Sequence, residues 1–184
     1  MKILKYSLFL FSLFLFVQTV PAQSSMDKNK DIAPFIKSVL NDLNEVEGKV
    51  VSLAEAMPQN TYDWRPMEGV RSVSEVYKHI AASNYFILSF VGGKKKEGMG
   101  ENMGKDVKDK EQIIKTLKDS YAYTKDFISK MSASDLDKGV DFFGNKTDYR
   151  GMLFILLGDN HEHLGQSIAY ARTNHVVPPW SRKK

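Results

Sequence analysis

The run Asp159-Asn160-His161-Glu162-His163 gathers two histidines and two acids in five residues. Residues four apart on a helix share a face, so Asp159 and His163 can point at one atom; His161, two positions from each, lies about 200° around. Met152, Leu156, Gln166 and Tyr170 fall on the same face as Asp159 and His163, which makes it the core-facing side. A carboxylate buried there needs a partner, because an unpaired buried charge is expensive. Two arrangements meet that need. Asp159 and His163 can pair with each other, or both can ligate a divalent metal: imidazole and carboxylate suit zinc or nickel, and also iron or manganese.

A third ligand would be His79, in Val76-Tyr77-Lys78-His79-Ile80 at the edge of another apolar stripe. Glu75 stands four residues before it and repeats the acid-x-x-x-His spacing. It can be a ligand, an acceptor for an imidazole N–H, or the glutamate of a capping box with Ser72. Glu75 and Glu162 are the candidate proton acceptors. Sharper signatures are missing: His161 and His163 are two apart, not the four of His-Glu-x-x-His, and neither Glu-x-x-His pairs nor a Gly-x-Ser-x-Gly elbow occur. Gly93 to Gly98 has P-loop glycine spacing, but Met99 stands where the lysine must be. Without cysteine, disulfides, thiolate metal sites and cysteine nucleophiles are excluded.

These residues need helices to hold them, and the apolar periodicity supplies four. The first begins at Asp31, with Pro34 in its first turn, and carries Ile36, Val39, Leu40, Leu43, Val46, Val50, Leu53, Ala54 and Met57 to a stop at Pro58. Residues 59–71 read as an ordered loop anchored by Trp64. Ser72 caps a second helix with a stripe through Val76, Ile80, Ser83, Tyr85, Phe86 and Phe90, stopped by Gly92-Gly93. Residues 94–110 read as a long mobile loop. The third helix runs from Lys110 to Met131. After a connection in which Phe142-Phe143 folds back on the bundle, the fourth runs from about Thr147 to Asn174. Alternation never persists long enough to predict a sheet. Four such helices bury their stripes as an all-α four-helix bundle.

Ahead of them, Lys2 and Lys5 precede a run from Tyr6 to Val17 that is shorter than the roughly 20 residues of a membrane span. Val20-Pro21-Ala22 then has the small residues that signal peptidase reads. Residues 1–22 are therefore expected to be a signal peptide and 23–184 a single domain, exported to the periplasm or beyond the cell, with no membrane span after cleavage. The chain carries 26 basic and 22 acidic residues. With Lys2 and Lys5 removed the surplus falls to two, which argues against nucleic-acid binding.

Two blocks add a resemblance. Tyr62-Asp63-Trp64-Arg65-Pro66 through Ser72-Val73-Ser74-Glu75-Val76-Tyr77-Lys78-His79-Ile80 resembles the first signature block of the DinB-like superfamily. Glu162-His163-Leu164-Gly165-Gln166-Ser167-Ile168-Ala169-Tyr170-Ala171-Arg172, with Val177-Pro178-Pro179 beyond it, resembles the C-terminal block. The resemblance implies a four-helix bundle with a long crossover connection, commonly a homodimer. It also implies a divalent metal held by one histidine of the second helix and two, four apart, of the last. Those positions fall on His79, His163 and Asp159, the last a departure from the pattern. Two histidines and a carboxylate still make a ligand set; the departure can equally mark a site that has lost its metal. Some relatives are transferases or isomerases that use mycothiol, bacillithiol or glutathione, and others look like metal-dependent hydrolases. Those thiols are cytosolic, so export favours a hydrolase of an unidentified small molecule. The alternative is a non-catalytic bundle that binds a small molecule or partner, with a structural His/Asp cluster.

Protein recovered from the native cell envelope should begin at Gln23 by intact-mass measurement. Retention of residues 1–22 would contradict the signal-peptide reading.

Overall fold

The long helices start where side chains can cap them. The computed structural model describes residues 28–96 and 109–182. The expected signal segment 1–22 and most of the expected mobile loop, residues 97–108, lie outside the described residues. Helix α1 spans Lys28–Ala56, α2 Val73–Ser89, α3 Lys110–Ser129, a single turn α4 Ala133–Leu136, and α5 Tyr149–Thr173. No helix among the described residues is long and apolar enough to cross a membrane.

At the start of α2 the Ser72 hydroxyl accepts from the Glu75 N–H at 3.3 Å, while Glu75 Oε2 accepts from the Ser72 N–H at 2.7 Å. This reciprocal capping box satisfies two donors that the helix itself cannot. Asp148 caps α5 by accepting from the Gly151 N–H at 2.8 Å, and Asp109 caps α3 through Gln112. Helix α1 begins three residues earlier than the sequence reading placed it, so Pro34 lies inside the helix.

Helix α1 packs on α3 and α5, and α2 packs on the same two, so the ring order is α1, α3, α2, α5. The connections α1–α2 and α3–α5 therefore each cross a diagonal of the bundle. The first is held by Tyr62, which is buried and donates to the Ala54 carbonyl at 2.8 Å. Trp64 meets the Tyr170 ring edge-on at 5.3 Å, the anchoring role expected of it. The core runs along the bundle axis through Leu43, Val50, Ile80, Leu117, Met152 and Leu156, all fully or almost fully buried.

The second connection holds a small sheet that the sequence reading missed. Gly139–Phe142 pairs antiparallel with Asn145–Asp148, Val140 opposite Thr147. The two turn residues have positive φ, 54° at Phe143 and 84° at Gly144, the condition for a type I′ hairpin turn. Four-residue strands are too short to show as alternation, and phenylalanine is a poor sign of a left-handed position. Phe142 packs back on Phe90 at 5.0 Å, but Phe143 is 74% exposed. Phe86, read as part of the buried stripe, is 41% exposed and meets Phe143.

A polar network crosses the middle of the core. Tyr121 donates to Asn160 Oδ1 at 2.6 Å, and Asn160 Nδ2 donates to Asn84 Oδ1 at 2.9 Å and to the Leu156 carbonyl. Asn84 Nδ2 in turn reaches the Ser120 hydroxyl at 3.1 Å, which donates to the Leu117 carbonyl. All four side chains are fully buried. Buried polar groups that lose their partner cost about 1–3 kcal/mol each. Asn160→Ala strands the Tyr121 hydroxyl and the Asn84 carbonyl, so chemical denaturation should show a loss of roughly 3 kcal/mol. A loss below about 1 kcal/mol would show that the network is not holding α2, α3 and α5 together.

Candidate metal centre

His79 stands two turns into α2, and its register is fixed by the Ser72–Glu75 cap. Asp159 and His163 stand one turn apart midway along α5. Their neighbours Asn84 and Asn160 are joined in the core, which turns the outer parts of both helices toward each other. His79, Asp159 and His163 each offer a ligand atom, and these atoms lie within 4.8 Å of one another. Asp159 Oδ1 is 3.6 Å from His163 Nε2 and 4.0 Å from His79 Nε2. The two imidazoles meet edge to face with centroids 4.5 Å apart. His163 is buried, whereas the side chains of His79 and Asp159 keep 28% and 22% of their surface, so the cluster opens on one side.

Ser83 Oγ lies 3.4 Å from His79 Nε2, and Gln166 Oε1 lies 2.9 Å from His163 Nδ1. The Asp159 Oδ2 atom is buried and has no hydrogen-bond partner among the described residues. Burial lifts the Asp159 carboxyl above the usual carboxylate range, against the opposing influence of His163, the nearby Ser83 hydroxyl and Arg71. Burial, with smaller contributions from the neighbouring Arg71 and His163, pushes His79 down to about 4. At neutral pH His79 is therefore an uncharged lone-pair donor, and its contact with Asp159 is not an ion pair. Two nitrogen donors, a carboxylate with an unused oxygen and an open side fit a divalent cation.

The remaining residues singled out in the sequence lie elsewhere. His161 pairs with Asp42 of α1 at 2.8 Å, on the other side of α5 as the helical spacing requires. His175 adopts φ 60° just beyond α5, where it ends the helix. Glu75 is committed to the cap and to Arg65, 3.1 Å away; the Ser72 N–H and Arg65 hold its carboxyl below the usual range. Glu162 is exposed beside the cluster. Ser83, four residues after His79, and Gln166, three after His163, were legible as helical neighbours of the site. Arg71 was not, because no periodicity governs the residue ahead of a cap.

A helical bundle whose second and last long helices present two imidazoles and a carboxylate defines a class of candidate metal-binding proteins. The chain belongs to the DinB superfamily, whose family model matches residues 42–167. It is 25% identical over 137 residues to the uncharacterized protein YjoA of Bacillus subtilis strain 168, covering 72% of this chain and 86% of that one. Among solved structures it is similar to a DinB-like protein of Bacillus cereus ATCC 10987, with a TM-score of 0.68 at 19% identity over 78% of this chain and 95% of that one. The crystal structure of the DinB-like YjoA of Bacillus subtilis gives a TM-score of 0.62 at 20% identity, over 76% and 93% of the two chains. These structures share the fold with this chain.

The depressed His79 value has a consequence for stability. The unfolded chain, with an ordinary value of 6.5, takes up this proton first as pH falls. The His79 contribution is present above pH 6.5 and is lost as the pH falls through about 4. Asp159, shifted upward, works in the opposite sense and is common to wild type and variant. Denaturation in the presence of chelator should therefore show a steeper loss of stability from pH 7 to 4 in wild type than in His79→Gln. Equal slopes would contradict the burial of the ring.

Proposed function

We propose that His79, Asp159 and His163 hold one divalent cation, zinc or nickel ahead of iron or manganese, and that the exported chain uses it to hydrolyse a small molecule. The observation that carries the metal reading is the convergence of Asp159 Oδ1 with the Nε2 atoms of His163 and His79, at 3.6 and 4.0 Å, on a buried carboxylate whose Oδ2 has no hydrogen-bond partner among the described residues. A cation at that point compensates the buried carboxylate without adding another side chain. When bound, such a cation supplies Lewis acidity. The chain supplies the rest. His163, anchored from behind by Gln166, and His79, held in a poorly hydrated setting, stay oriented as donors. Glu162 is the candidate left to accept a proton, since Glu75 is engaged in the cap and with Arg65. Hydrolysis rather than thiol-dependent transfer is supported by the export signal read at residues 1–22.

Calorimetry with and without chelator tests this reading. Wild type should melt lower when chelated. Asp159→Ala should lose metal affinity by at least about tenfold and become indifferent to chelator, and Asp159→His should keep binding, with a preference for zinc or nickel. A wild type indifferent to chelator, together with a destabilised Asp159→Ala, would leave a structural Asp159–His163 pair and overturn the metal reading. A metal-binding wild type that hydrolyses no ester, amide or phosphate of a broad panel would overturn the hydrolase and keep the binding protein.

A further inference from the structure

Behind His163 a hydrogen-bonded chain runs to the backbone. Gln166 Oε1 is 2.9 Å from His163 Nδ1, Gln166 Nε2 is 3.0 Å from the Tyr170 hydroxyl, and that hydroxyl is 3.0 Å from the Arg71 carbonyl. His163 and Tyr170 are buried and Gln166 is half-buried. Arg71 precedes the Ser72 cap, and the intrahelical bonds of α2 begin with the Ser72 carbonyl accepting from Val76. The Arg71 carbonyl therefore stands outside the helix ladder and depends on a donor from elsewhere.

The far end of this chain dictates its polarity. A carbonyl only accepts, so the single Tyr170 proton is directed at Arg71. The hydroxyl oxygen must then accept, which turns the amide nitrogen of Gln166 toward Tyr170 and its oxygen toward His163. That oxygen also only accepts, so His163 Nδ1 must carry the proton. The reverse amide orientation would ask one hydroxyl proton to serve both the Gln166 oxygen and the Arg71 carbonyl. With Nδ1 protonated, the lone pair of the neutral imidazole is on Nε2, the atom that faces Asp159 at 3.6 Å.

We infer that Gln166 and Tyr170 are positioning residues: with the Arg71 carbonyl as terminus, they lock His163 in the Nδ1–H form and present Nε2 to the cluster. Its value to ligation rests on the metal-binding reading above; the tautomer itself does not. The chain also ties the loop before α2 to α5, so the same three bonds that set the tautomer help seat the helix that carries His79. Trp64 packs on the Tyr170 ring at 5.3 Å and keeps the hydroxyl in line.

Long-range 1H–15N spectra of histidine-labelled, metal-free protein at pH 8 read the tautomer directly, and zinc competition against a chromophoric chelator reads affinity. Wild type should show a single Nδ1–H form at His163. Gln166→Leu should lose it and bind zinc about ten- to a hundredfold more weakly. Gln166→Glu, whose carboxylate still accepts from Nδ1, should restore both. Tyr170→Phe keeps the ring and its packing, frees the amide to turn, and should give a mixed tautomer with zinc affinity lower by about tenfold. An Nε2–H form in wild type, or equal behaviour of Gln166→Leu and Gln166→Glu, would overturn the inference. Absence of zinc binding by a wild type that shows the Nδ1–H form would overturn the metal reading and leave the relay standing.

Discussion

The pairing of Asn84 with Asn160 in the middle of the core is the constraint on which the site depends. Apolar stripes alone allow α2 and α5 to slide or rotate against each other with modest change in buried area, since hydrophobic contact is not directional. An amide–amide bond at 2.9 Å, with Tyr121 closing one side and Ser120 the other, admits one register. Any slip leaves polar groups unpaired in a low-dielectric interior, where they are most costly. Because Asn84 follows Ser83 and Asn160 follows Asp159, the bond that sets the register also brings the outer edges of the two helices together. Through Tyr121 it extends the same constraint to α3.

On that frame the cluster is electrostatically unfinished. Desolvation works against the charged form of both Asp159 and His79, in opposite pKa directions, so burial leaves the Asp159 carboxylate poorly compensated and keeps His79 a neutral base. A cation compensates the carboxylate while using the neutral His79 imidazole as it stands. Arg71, exposed at the edge, lowers the values of both groups, which opposes protonation of His79 and favours the carboxylate of Asp159. Packing, capping and charge therefore converge on one small volume at the open side of α2 and α5.

Much of this was legible in the sequence, and for identifiable reasons. Helices of about five to eight turns repeat an apolar pattern often enough to be unmistakable, and Ser72 with Glu75 marks the start of α2 by its own chemistry. The four-residue spacing of Asp159 and His163 put them on one face, and turned His161 away toward Asp42. What was not legible depends on partners distant in the chain. Asn84 and Asn160 look like surface residues until each is seen to supply the other's bonds across 76 positions. The hairpin at Phe143-Gly144 lacks the Asn-Gly signal that usually announces its turn. Phe86 has the spacing of a core residue but lies beside the exposed hairpin tip, which periodicity cannot register. The ring order of the helices follows from tertiary contacts alone.

Elemental analysis of the protein, purified from its native source without added metal or chelator, tests the metal centre most directly. The geometry predicts close to one equivalent of a single transition metal in wild type, and essentially none in a His79→Ala/His163→Ala double variant that retains its helical circular dichroism. Metal-free wild type, or a double variant that keeps the full equivalent, would contradict the assignment of the cation to His79, Asp159 and His163.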